Sequence, residues 1–137
     1  MARTQHLAVA VFDDNSDQQE LLRLTLQLAG MRLHLCGPSL LAMSDDMVRT
    51  ALAEANADVV IWDVSPVFTY QCKALESLLR SRAFGGCGVV VTTSHAARVR
   101  EFLGPLCSDM PILEKPYELD RLVAAVHAVG HARRGDL

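Results

Sequence analysis

Five short apolar runs, each followed by a stretch of helical periodicity, constrain this chain more than any other feature. The runs are Leu7 to Phe12 (LAVAVF), Met31 to Cys36 (MRLHLC), Asp58 to Trp62 (DVVIW), Gly88 to Thr92 (GVVVT) and the minimal Pro111 to Leu113. Each is too short for a buried helix, and four are nearly unbroken in apolar residues, as strands covered on both faces are. MRLHLC alternates instead, and Gly37-Pro38 ends it. Between the runs lie the helices. Ser16 with Gln19 fits a capping box. Leu21, Leu24 and Leu28 recur behind it at helical spacing, Leu22 and Leu26 widen the stripe, and Gly30 stops it. Ser44 caps a second helix to about Ala55, with Asp45 and Asp46 in its first turn. Gln71 to Arg82 places Leu75, Leu78 and Leu79 on one face, before Gly85-Gly86 turns the chain. Ala96 to Leu103 is a short helix closed by Gly104-Pro105. Tyr117 to about His131 turns Leu119, Leu122, Val123 and Val126 inward.

Strand and helix thus alternate five times, which predicts an α/β fold: a parallel sheet with helices on both faces. A length of 137 residues suits a single domain, residues 1-137, with its core at about 7-129 and a polar tail at 130-137. Half the residues are hydrophobic and only 5% aromatic, so the core is aliphatic. A net charge of -3 argues against nucleic acid as the main partner, because neutralising phosphates needs surplus Lys and Arg on one face. The basic pair Arg133-Arg134 reads as a solvated end. Cys36, Cys72, Cys87 and Cys107 form no C-x-x-C pair and read as free thiols of a reducing compartment. Met1 to His6 is too polar and short for a signal peptide, and no apolar run nears the ~20 residues that span a bilayer. The expectation is a cytoplasmic protein without membrane contact.

In parallel α/β sheets, ligands bind at the carboxyl ends of the strands. Asp13-Asp14, Asp63, Thr92-Thr93 and Lys115 all fall just past strand ends. Each has an ordinary explanation alone: a helix cap, a turn acid, a β-branched strand residue, a surface lysine. Together they are a site. Three converging acids repel one another, and a hard divalent cation relieves that repulsion. A lysine and a hydroxyl at the same edge can meet phosphate oxygens. This is equipment for phosphoryl transfer.

The ordered set VFDDNS, VVIWD, VVVTTSH and ILEKPYELDRLV resembles the bacterial response-regulator receiver family over about Leu7 to Val129. Asp63 and Thr93 are 30 positions apart, and Thr93 and Lys115 are 22 apart, similar to the family spacing. The resemblance implies a flavodoxin-like (βα)5 doubly wound fold and a phosphorelay role. It implies Asp63 as phospho-acceptor and Asp14 as a direct Mg²⁺ ligand. Asp13 would act directly or through water, and the Ser65 carbonyl would be a further ligand. Thr93 would follow the phosphoryl group, and Lys115 would pair with it, held by a cis bond to Pro116. A histidine kinase or phosphotransfer protein would be the donor. The output would be a protein contact through Val99, Phe102, Ile112 and Tyr117, with room for a homodimer.

The chain departs from the family pattern in three places. Pro66 comes one residue early and no glycine follows in Val64 to Gln71. Ile112 stands where an aromatic switch residue is usual, and Cys36 to Asp58 is long. The loop after Asp63 and Ile112 support an alternative, a degenerate receiver that only docks or dimerises. A phosphatase with an aspartyl nucleophile resembles D-x-D, not adjacent Asp13-Asp14. Neither G-x-G-x-x-G nor G-x-x-x-x-G-K-[ST] occurs. The expectation is a signalling module, not an enzyme.

Overall fold

The computed structural model describes residues 6–36 and 43–134. The break expected at Gly37-Pro38 lies outside them. The strands are β1 (Ala8–Phe12), β2 (Arg32–Cys36), β3 (Val59–Val64), β4 (Gly88–Thr93) and β5 (Ile112–Glu114). They alternate with α1 (Ser16–Leu28), α2 (Asp45–Ala55), α3 (Phe68–Arg80), α4 (Ala96–Leu103) and α5 (Leu119–Arg134). A 3-10 turn, Gly104–Cys107, follows α4. The strands form one parallel sheet in the order β2-β1-β3-β4-β5. The strand order reverses around β1 and β3, which opens a crevice at their carboxyl ends.

The two-residue period of the strands sorts the core into two layers. Ala10, Phe12, Val60, Trp62, Val64 and Val91 share one layer with Val48 of α2, Leu75 of α3 and Val99 of α4. Val9, Val11, Val59, Ile61 and Val90 share the other with Leu22 and Leu26 of α1 and Leu122 and Val126 of α5. Each fully buried aliphatic side chain contributes roughly 1.5–3 kcal/mol. Trp62 is wholly buried, with ring centroids of Phe12 and Phe84 at 5.0 and 5.6 Å. Two glycines mark where α5 comes closest to the sheet. A Cβ on Gly88 would stand 2.7 Å from Val129 Cβ, and one on Gly130 would stand 2.6 Å from Leu7 Cδ1.

Several local expectations are corrected. Asn15, not Ser16, caps α1: it is extended, and its Oδ1 accepts the Gln18 N–H at 2.9 Å. Gln19 does fold back, but donates to the Asp13 carbonyl. Leu21, Leu24 and Leu28 face solvent, and the line from Leu22 to Leu26 is the buried one. The leucines outnumber the inward positions, so spacing alone could not rank the two faces. α3 begins at Phe68 rather than Gln71, on the extended Val67, with no side-chain cap. β2 is an edge strand with Arg32, His34 and Leu35 exposed. α5 runs to Arg134, and Gly130 is buried, so the core extends past residue 129. Ser44 caps α2 as expected, accepting the Met47 N–H at 3.2 Å.

Candidate functional site

β1 and β3 deliver two acids into the crevice between them. Asp13 follows the last residue of β1 and is 1% exposed; Asp63, on β3, is 2% exposed. β3 runs one residue past Asp63, which therefore sits inside the ladder, in register with Thr92 of β4. Both side chains of a registered parallel pair leave the same face of the sheet. The Thr92 hydroxyl accordingly donates to Asp63 Oδ1 at 2.8 Å, with both groups buried. Lys115 follows β5, and its N–H is fixed on the Thr93 carbonyl at 2.8 Å. Its ammonium lies 2.5 Å from the same Asp63 Oδ1. Lys115-Pro116 is cis, as the family resemblance implies.

Thr93 does not meet Asp63 in this arrangement. Its hydroxyl accepts the His95 N–H at 3.2 Å, at the entry to α4. The hydroxyl on the Asp63 carboxylate is Thr92's, a contact the sequence reading did not assign. Adjacent threonines give no sequence signal for which faces the acid, because strand side chains alternate.

Asp13 shows what burial does to an uncompensated acid. Its Oδ1 accepts the Asn15 N–H at 2.8 Å, and its Oδ2 is buried without a hydrogen-bond partner. Burial, then the nearby Asp63 and Asp14 charges, push its carboxyl up to about 6, against the lowering by the Asn15 N–H and Lys115. Asp14 is exposed, and Ser65 is half-buried beyond the end of β3. Tyr117 is half-buried near both acids; burial first, then the Asp63 and Asp13 charges, push its phenol up to about 12. Its place beside the acids was not read from the sequence, where the only signal is its position two residues after Lys115.

Among the described residues no cluster of three or more His, Cys, Asp or Glu side chains is arranged to hold a metal. Mg²⁺ does not need one, since it binds through one or two carboxylates plus water and phosphate. The buried, unpartnered Asp13 Oδ2 beside Asp63 is the donor such an ion fits.

Around this pocket the connecting elements are tied to one another. Glu114, next to Lys115, accepts the Ala96 N–H at the start of α4 at 3.0 Å. Arg100 of α4 reaches the Ile112 carbonyl at 3.4 Å. Phe68 of α3 meets the His95 ring edge-on at 5.8 Å and lies under the Arg98 guanidinium at 4.1 Å. The expected contact face is corrected here. Val99 and Ile112 are core residues at 0% and 6% exposure, and Phe102 and Tyr117 are half-buried. A cleft of about 630 Å³ lies at the other edge of the sheet, lined by Cys87, Leu106, Met110 and Val129 among others. It holds neither Asp63 nor Lys115. None of the four cysteines is in a disulfide. No helix among the described residues is long and apolar enough to cross a membrane.

No protein-family model matches the chain, and no curated protein matches it by sequence. Solved structures do match in shape. The chemotaxis protein CheY4 of Vibrio cholerae is 17% identical, with a TM-score of 0.69 over 91% of this chain and 99% of that one. A response regulator receiver protein from Sinorhizobium medicae is 22% identical, with a TM-score of 0.68 over 95% of this chain and 98% of that one. The signal receiver domain of a putative Luxo repressor protein from Vibrio parahaemolyticus is 14% identical, with a TM-score of 0.71 over 96% of this chain and 95% of that one. With five parallel strands, five alternating helices and these neighbours, the chain has the CheY-like, flavodoxin-like fold of response-regulator receiver domains.

Proposed function

We propose that this chain is a phosphorelay receiver that accepts a phosphoryl group on Asp63 and signals to a protein partner in the cytoplasm. The observation that carries the reading is Asp63 Oδ1, buried at the carboxyl edge and held by the Thr92 hydroxyl and the Lys115 ammonium. Both donors engage the same oxygen, so Asp63 Oδ2 is the nucleophile. It attacks the phosphorus of a phosphohistidine on a histidine kinase or phosphotransfer protein. The P–N bond breaks and the leaving imidazole takes up a proton. Lys115 pairs with Asp63 beforehand and then pairs with a phosphoryl oxygen. Asp13, Asp14, Asp63 and the Ser65 carbonyl would hold Mg²⁺, which supplies neutralising charge to the phosphoryl oxygens. Such a module is consumed as a substrate and turns nothing over, so it is not an enzyme in the ordinary sense.

A second reading, a phosphorylation-independent docking module, draws support from the near-complete burial of Asp63. One experiment separates the two. Intact-mass analysis after incubation with a small phosphodonor and Mg²⁺ should show one added phosphoryl group. No addition to the folded wild type would leave the docking module as the better account.

A further inference from the structure

The molecule carries a second group of ligating side chains, far from the acids. His127 and His131 stand four residues apart on α5, which places both rings on one helix face. Nδ1 of His127 and Nε2 of His131 are 3.4 Å apart. The ring planes agree within 4°, with centroids at 5.5 Å. Both residues are half-buried, so solvent can complete a coordination shell. We propose that His127 and His131 form a two-imidazole site for a divalent late transition metal ion, with Zn²⁺ as the reference case.

The geometry suits that class of ion. Zn²⁺ binds imidazole nitrogen at roughly 2.0–2.1 Å, so two such nitrogens on one tetrahedral ion lie roughly 3.4 Å apart. Imidazole suits Zn²⁺, Cu²⁺ and Ni²⁺, whereas Mg²⁺ prefers carboxylate and water oxygens. The two sites therefore sort by ligand chemistry, oxygen at one edge of the sheet and nitrogen at the other.

The position of the pair gives the ion a structural consequence. The two histidines bracket Gly130, the residue that lets α5 approach Leu7. Glycine is the poorest helix former after proline. An ion bridging the histidines staples the turn that contains it and holds the end of α5 against β1. Binding only to the folded state, it shifts folding by mass action, roughly a hundredfold when free ion is at a hundred times its dissociation constant.

The test uses the whole chain with millimolar Mg²⁺ present throughout. Zn²⁺ is titrated by calorimetry, and thermal melting is followed with and without Zn²⁺. Wild type should take up one Zn²⁺ that His127→Ala and His131→Ala both lose, together with the Zn²⁺-induced rise in melting temperature. Asp13→Asn and Asp63→Asn should keep it, which separates this site from the phosphoryl site. His127→Gln serves if the alanine variant melts early in the absence of metal. Zn²⁺ isotherms that are the same in wild type and the histidine variants, or that change only with Asp13→Asn, overturn the proposal.

Discussion

β3 carries a buried aspartate at each end, and the two have opposite fates. Asp58, just before the strand, is 5% exposed; Asp63, near its end, is 2% exposed. Asp58 Oδ2 accepts the Ala8 backbone N–H at 3.0 Å, while its own N–H and carbonyl bind Ala8 and Gly88. It pins β3 between β1 and β4 through main-chain groups. Asp63 is held by the Thr92 hydroxyl and the Lys115 ammonium, both on side chains that can turn to a new partner. Burial and residue type are the same in both cases. What differs is whether the donors can be exchanged, and only the exchangeable set can serve a switch.

Substitutions at the two ends should therefore separate stability from chemistry. The largest effect is expected from Asp63→Asn, which should abolish phosphoryl addition in intact-mass analysis while the fold survives; full labelling of that variant would break the contrast. Asp58→Ala should do the reverse. It strands a buried N–H and should lower stability by about 2–3 kcal/mol in urea unfolding, with Asp63 still labelled under folding conditions.

The next effect concerns Asp13, the acid without a full set of partners. Its folded-state pKa is raised from 3.8 to about 6, so the folded protein holds a proton there that the unfolded chain has released. Stability from this group is full below about pH 4 and is lost as pH rises through about 6. Without divalent ions, Asp13→Asn should flatten that loss and raise stability at pH 7 by on the order of 1–2 kcal/mol. Melting curves in chelator between pH 4 and 7 would show it; parallel wild-type and variant curves would remove Asp13 from the account. Mg²⁺ should stabilise the wild type and act much more weakly on the variant.

The smallest effect is expected at the adjacent threonines. Thr92→Val should cost about 1 kcal/mol and slow labelling of Asp63, because the acceptor loses a buried donor. Thr93→Val should leave labelling by a small phosphodonor nearly unchanged, since its hydroxyl serves the entry to α4. Equal labelling rates for the two variants would erase the distinction between them.

Much of this was legible in the sequence, for physical reasons. Apolar runs of strand length can only be strands between helical layers, so the topology followed, and strand-end positions exposed Asp13, Asp63 and Lys115 as a group. Choices between like neighbours were not legible. Asn15 and Ser16 are both good caps, and Thr92 and Thr93 are both good strand residues. Only the phase of the backbone decides between them. Asp58 looked like an ordinary strand start because its partner, Ala8, is 50 residues away. Val99 and Ile112 were placed on a contact face by the family resemblance, yet both turn inward.

The three-residue strand β5 is a handle for the helix beside it. Glu114 holds the first turn of α4 and the Ile112 carbonyl holds Arg100 farther along it, so both anchors of an eight-residue helix sit on one short strand. Lys115 is the residue that follows the strand. A displacement of its backbone would act on the Glu114 peptide and, through the contact of Glu114 with the Ala96 N–H, on α4. A chain of this fold with an aliphatic residue at position 112 thus joins the backbone beside Lys115 to α4 by contacts that need no rotating ring.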